Sequence, residues 1–438
     1  MSGKKDMIID FSVQNFRSIK YEQKISFEAD NSKDLEDYFV FTPNLLHPKK
    51  TPLRLLKLNF IYGANASGKS NILKALHALD ILAMRTAKAK DEEVLFIEPF
   101  AFDSTSQSEP TKFIISFVAN EIIYRYELTA NKKCILEEAL YSVESGTGLL
   151  FHRTTDVHKQ LTTIDIKSRC KMKADDRKTL SNSTLWNSTV LSTYHSLNIE
   201  SEHFDNVVNW FIHTLMQYVE PDTDLKSYIS KRIEDKKIDK INVLRLMQEA
   251  DFCVNDLSFK PIELTPERVE FIEKLKKQDT EVTRELIDNL LNEKELFFTH
   301  KVANGKYELN YDEESLGTQR YYQLSGLLDF VTKQNKVIPI DEFESSLHPD
   351  LIKHFLISYL KTEHKSQMLI TTHYREFLAQ KDIFRKDAIW FVEKDQDESF
   401  SEIYSLADFS TKTIRETSSV YNAYVTGKLG AVPNILDK

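Results

Sequence analysis

Apolar and polar residues alternate through "MIIDFSVQNFRSI" near the start of the chain, with Ile9, Phe11, Val13 and Phe16 in step. A period of two predicts a half-buried strand. A second strand, "LKLNFIY" (56–62), runs straight into the loop "GANASGKSN", and beyond it Ile72, Leu73, Leu76, Leu79 and Leu82 recur at helical spacing. Strand-like runs follow at 112–119, 122–130 and 134–143.

From about 155 to 310 the pattern turns mainly helical. One expected helix covers "FDNVVNWFIHTLMQYV" (204–219); another covers 265–291, opened by Thr265 as N-cap with Pro266 at the first helical position. The stripe Val269, Ile272, Leu275, Val282, Leu286 and Leu290 reads as a packing seam rather than as chemistry. There is no tandem repeat and no heptad tract long enough for extended coiled-coil arms. After 310 the alternation of strand and helix returns: "KVIPID" (336–341) and "QMLITT" (367–372) are short buried-strand runs around the amphipathic "DLIKHFLISYLK" (350–361), and 388–393 and 400–406 are further strands. The pattern predicts an α/β fold, its core divided between 1–154 and 295–438 and split by a mostly helical insertion at 155–294.

Only 10 glycines occur in 438 residues, yet Gly63 and Gly68 stand five apart just before Lys69 and Ser70. Between a strand and a helix this GxxxxGK[ST] spacing makes a phosphate loop. Ala64, Asn65, Ala66, Ser67 and Asn71 complete the loop; backbone N–H groups would wrap an anion, Lys69 would reach the β and γ phosphates of ATP, and Ser70 would ligate Mg²⁺. The apolar strand ending in Asp341–Glu342 has the Walker B pattern, with Asp341 for Mg²⁺ and Glu342 to orient the attacking water. Pro339 interrupts that strand, where a proline removes a ladder donor. His373 ends the next apolar strand, where an imidazole can contact the γ-phosphate.

Upstream, "DEESLGTQRYYQL" (312–324) predicts a helix opening at Ser315 and Gly317 behind acidic residues. A hydroxyl and a glycine backbone at a helix start can bind a phosphate. Since the chain already has one phosphate loop, this second site is assigned to another subunit's nucleotide; the plain alternative is an ordinary capped helix.

Composition narrows the field further. The net charge is −9, and the most basic stretch, 226–245, is interleaved with Glu234, Asp235 and Asp239, so nucleic-acid contact is compatible with the sequence but not indicated by it. No run approaches the roughly 18 apolar residues of a membrane helix. The start lacks a secretory pattern, and Cys134, Cys170 and Cys253 are far apart, so a cytoplasmic protein with free thiols and no zinc site is expected.

These motifs give the chain a resemblance to ABC-type ATPases of the SMC, RecF and OLD group, filed among the AAA family ATPases of bacteria. It rests on "VQNFRSI", "GANASGKSN", "ESLGTQR", "IDEFESSLHP" and "TTH". The tail "DAIWFVEKD…SEIYSLADFS…YVTGKLGAVPNI" and "PFAFDSTSQSEPTKF" are similar to ATPases of antiphage and abortive-infection operons, including those that accompany RloB-type proteins and relatives in PARIS and Septu. The resemblance covers about 1–150 and 295–438, and implies an ABC-type core whose subunits pack head to tail around two ATP molecules. Lys69, Ser70, Asp341, Glu342 and His373 of one copy would then share a nucleotide with Ser315 and Gly317 of the other, residues 345–349 crossing between them. Arg17 is a further implied nucleotide contact, and the transporter form of the signature is absent.

The implied function is an ATP-hydrolysing switch of an antiphage system. It would act as a homodimer or larger homo-oligomer and control an effector toxin or nuclease encoded nearby, since the 65 residues after His373 leave no length for a Toprim nuclease. The alternatives are a RecF-like DNA-binding repair ATPase, which salt-sensitive duplex binding would favour, and a small-molecule kinase, which transfer of labelled phosphate to a metabolite would reveal.

Overall fold

A computed structural model describes residues 6–47, 51–144, 146–262, 265–277, 280–409 and 417–432. The chain forms two compact units. The first lies within Met1–Thr223, Val331–Ser345 and Leu356–Lys438, and the second within Asp224–Phe330 and Ser346–Phe355. Residues 155–223, grouped by sequence with the helical segment, belong to the first unit.

Two sheets organise the first unit. In one, the strands Val337–Ile340, Gln367–Thr372, Leu58–Gly63 and Ile389–Lys394 lie parallel in that order, with Ser401–Ser405 added antiparallel at the edge. Leu58–Gly63 is buried along its whole length, as a central parallel strand covered on both faces must be. The other sheet is a seven-stranded antiparallel one built from Met7–Gln14, Gln23–Ser26 and the successive hairpins of residues 111–166. The expected strands at 112–119, 122–130 and 134–143 are present, as Thr111–Ala119, Ile122–Ala130 and Ile135–Val143. The fold is therefore α/β, with the phosphate loop on its parallel sheet.

The middle of the chain is less purely helical than its periodicity predicts. It includes the hairpin Thr147–Asp156/Leu161–Ile166 in the first unit, and in the second a three-stranded antiparallel sheet of Val254–Pro261, Lys294–Val302 and Gly305–Asn310. The single helix expected over 265–291 is two, Pro266–Lys276 and Glu281–Leu291, with Thr265 capping the first through the Arg268 N–H; Lys277 and Thr280 between them are outside both helices, and residues 278 and 279 lie outside the described set.

The helix expected over 204–219 stops at His213. Beyond it the chain runs extended along the edge of the parallel sheet, bridging Leu215 to Val337 and Val219 to Ile340. Here β-prone residues beside an open sheet edge prevail over helical periodicity. The same pairing accommodates Pro339. On this side Val337 N–H donates to Thr214 O and Asp341 N–H to Val219 O, both at 2.9 Å. Between those bonds the outer segment advances five residues against four, so it bulges opposite Pro339, where no N–H is available.

Candidate functional site

The loop between Leu58–Gly63 and the helix Lys69–Met84 is shaped by neighbours that leave no room for side chains at its glycines. A Cβ on Gly63 would stand 2.5 Å from Val392 O and 2.6 Å from Ser67 Oγ. Gly68 has φ +104°, a conformation side chains disfavour, and a Cβ there would strike Ser401 Oγ and come within 2.5 Å of Ser18 Oγ. Those hydroxyls form a clamp behind the loop: Ser401 Oγ donates to Ser67 O at 2.6 Å and lies 2.7 Å from Ser18 Oγ, while Asn71 Nδ2 donates to Ser18 Oγ at 2.7 Å. In front of it, Lys69 Nζ donates to the Gly63 and Ala64 carbonyls at 3.0 Å each. Burial lowers the lysine's pKa, against the opposing pull of Asp341, Glu342 and Glu344. Ser67 Oγ is buried without a hydrogen-bond partner among the described residues. A cradle that excludes Cβ atoms, an ammonium and an orphaned hydroxyl fit a polyphosphate.

Asp341 is 5% exposed and its carboxylate is gripped by three hydroxyls. Ser70 Oγ donates to Oδ1 at 3.0 Å, Thr371 Oγ1 donates to the same oxygen, and the Tyr218 phenol donates to Oδ2 at 2.6 Å. Burial, and then the bond to Asp341, raise the Tyr218 pKa so that it stays a donor. One carboxylate and one hydroxyl, Asp341 and Ser70, suit Mg²⁺, which takes few protein ligands and completes its shell with phosphate oxygens and water.

Glu342 is held quite differently. Its φ of +42° is a strained value for a residue with a side chain, and its N–H donates to Thr371 Oγ1 at 2.9 Å. Thr371 thus orients both acidic residues, accepting from the backbone of one and donating to the carboxylate of the other. The Glu342 carboxylate projects outward, with His373 Nε2 at 3.5 Å from its Oε1. The backbone N–H of His373 donates to Glu344 Oε1.

The first unit therefore brings Gly63 to Asn71, Asp341, Glu342 and His373 together. Arg17, with φ +50°, bonds Glu98 through backbone and side chain, 2.6 Å each, and its neighbour Ser18 touches Asn71. Ser315 and Gly317 lie in the second unit. Ser315 Oγ accepts the Thr318 N–H at 3.1 Å, capping the helix Leu316–Gln334, and the nearest atoms to a Cβ on Gly317 are at 3.7 and 3.8 Å, an ordinary contact. Just before them Glu314 pairs with His300 at 2.6 Å. Sequence reasoning missed Tyr218, Thr371, Ser18 and Ser401. Thr371 was within reach, since it stands in the quoted run ending at His373. Ser18 and Ser401 also stand in quoted stretches, "VQNFRSI" and "SEIYSLADFS", but nothing local pairs them with the phosphate loop, and Tyr218 lies in a run read as helix.

The AAA_21 family model, described as "AAA domain, putative AbiEii toxin, Type IV TA system", matches residues 58–379. Among solved structures, an SMC head domain from Thermotoga maritima aligns over 91% of this chain and 98% of its own at 11% identity and TM-score 0.37. An SmcHead bound to the C-winged helix domain of ScpA aligns over 91% and 97% at 15% identity and TM-score 0.37. An Smc head domain bound to the C-terminal domain of ScpA, from Pyrococcus furiosus, aligns over 97% and 99% at 14% identity and TM-score 0.36. Likenesses this distant carry no argument about activity or partners. No curated protein matches the chain.

Proposed function

The chain belongs to the AAA_21 family, and from that premise we propose that it is an ATP-hydrolysing switch of a bacterial antiphage defence system. It would close as a homodimer around ATP and control an effector toxin or nuclease supplied in trans. Support for the biological setting comes from the family's description, which names a toxin of a type IV toxin–antitoxin system.

The observation that carries the enzymatic part is the meeting of the phosphate loop with the Walker B strand: Ser70 Oγ and Asp341 Oδ1 are 3.0 Å apart though 271 residues separate them in sequence. Ser70 and Asp341 would hold Mg²⁺, which supplies charge neutralisation between the β and γ phosphates. Lys69 would leave the Gly63 and Ala64 carbonyls for phosphate oxygens, a stronger, charge-assisted partnership. Glu342, outward-facing and within 3.5 Å of His373, is free to reach a water in line with the γ-phosphate, and His373 would contact that phosphate. Ser315 and Gly317 would bind the phosphate held by a second copy's loop.

The test is Glu342→Gln. The reading expects tight ATP retention with a stable dimer on size exclusion, and hydrolysis lower by about 10²–10⁴-fold, the usual contribution of a general base. Hydrolysis at the wild-type rate would remove Glu342 from this role.

A further inference from the structure

The extended segment Thr214–Val219 sits along the edge strand that delivers Asp341, and its bulge opposite Pro339 carries Tyr218. The geometry points to Tyr218 as a positioning residue that sets the affinity of the Ser70–Asp341 site for its divalent cation. The inference rests on the reading of those two residues as the metal site.

Three features carry it. Asp341 Oδ1 already accepts two hydroxyls, from Ser70 and Thr371, while Oδ2 accepts from Tyr218 at 2.6 Å. The phenol therefore restrains the second oxygen and fixes the plane of the carboxylate. The ring is itself restrained, packed 6.3 Å from the His77 imidazole on the phosphate-loop helix. Burial lowers the His77 pKa, against the opposing pull of Glu220. Finally, the backbone on both sides of Tyr218 is pinned to the Asp341 strand, by Met216 N–H to Val337 O at 2.8 Å and Val219 N–H to Pro339 O at 3.0 Å. Phenol and carboxylate thus move as one body with the edge of the sheet. Without the phenol the carboxylate can rotate, and it enters metal binding at an orientational cost it does not now have.

The experiment compares wild type, Tyr218→Phe and Asp341→Ala by Mn²⁺ binding, read by electron paramagnetic resonance with a non-hydrolysable ATP analogue present. Affinity for the analogue in EDTA is measured alongside. Tyr218→Phe is expected to weaken Mn²⁺ binding about 10-fold, the range for losing a second-sphere hydrogen bond to a metal ligand, with metal-free analogue affinity within about 2-fold of wild type. Unchanged Mn²⁺ affinity in Tyr218→Phe, beside a clear loss in Asp341→Ala, overturns the role of Tyr218 and leaves the metal site standing. Unchanged affinity in Asp341→Ala overturns the metal-site reading itself, and the present inference with it. Equal losses with and without metal in Tyr218→Phe would mean that the residue acts through the fold, which also overturns it.

Discussion

Gly63 and Gly68 on one side, and Gly317 on the other, are glycines of proposed phosphate sites in opposite circumstances. At the loop, a single added carbon would collide with Val392 O, Ser67 Oγ, Ser18 Oγ and Ser401 Oγ. The chain itself demands those glycines, because it has wrapped its own backbone and hydroxyls around them. At Gly317 an added carbon would rest at ordinary contact distance, and nothing among the described residues of the second unit explains why a chain so poor in glycine has one there. Leu316 beside it is 71% exposed. The loop of the first site is shaped by its own chain. The second presents a capped helix start where a side chain would meet only ordinary contacts, as a surface would if its occupant comes from another molecule.

The comparison can be pressed by substitution. The largest effect is expected from Gly68→Ala, which combines a left-handed backbone with a collision: nucleotide binding should fall below detection by calorimetry, and binding within a few-fold of wild type would mean that the loop tolerates what its geometry forbids. Gly317→Asp should do the reverse. A carboxylate in the first turn favours the helix by about 0.3–1 kcal/mol, so the melting temperature should hold or rise slightly and ATP affinity at low protein concentration should stay near wild type. Yet hydrolysis and dimerisation should drop at least 10-fold, since the new charge would face a phosphate. A parallel loss of ATP affinity would place Gly317 in the chain's own pocket.

A smaller effect is expected behind the loop. Ser401→Ala removes the hydroxyl joining Ser67 O to Ser18 Oγ, and a buried hydrogen bond of this kind is worth about 1 kcal/mol. The KM for ATP should rise several-fold with little change in kcat, whereas a change in kcat alone would assign Ser401 to the chemical step. Smallest of all, replacing Lys231, Lys236 and Lys237 with alanine should leave duplex-DNA retention at low salt as weak as in wild type, as the acidic interleaving of that stretch predicts; a marked loss would restore the DNA-binding alternative.

The sequence made legible what repeats locally and what is chemically rare. The alternation through Ile9, Phe11 and Val13 became Met7–Gln14. The glycine spacing and the acidic pair at 341–342 located residues that the structure brings into one pocket. What stayed hidden depends on partners far away in the chain. Ser401 reaches Ser18 across 383 residues, and Tyr218 reaches Asp341 across 123. Tyr218 was also masked by its own surroundings, because the apolar run through Trp210, Phe211 and Leu215 continues a helical period that the backbone abandons at His213 for the sheet edge. The division of the expected helix into Pro266–Lys276 and Glu281–Leu291 is of the same kind: the amphipathic stripe carries past Lys277 and Thr280, which its period cannot mark as outside both helices.

The account turns on a pocket shared between copies, and mixing two disabled variants tests it most directly. Lys69→Ala should bind no ATP, and Ser315→Arg should bind ATP but fail to complete a partner's pocket, so each alone should be inactive. In a mixed dimer of the proposed kind the loop of the Ser315→Arg chain would face the intact helix start of the Lys69→Ala chain. A substantial fraction of the wild-type hydrolysis rate should therefore return on mixing. A mixture no more active than its two components, at every ratio and concentration, would contradict the shared pocket.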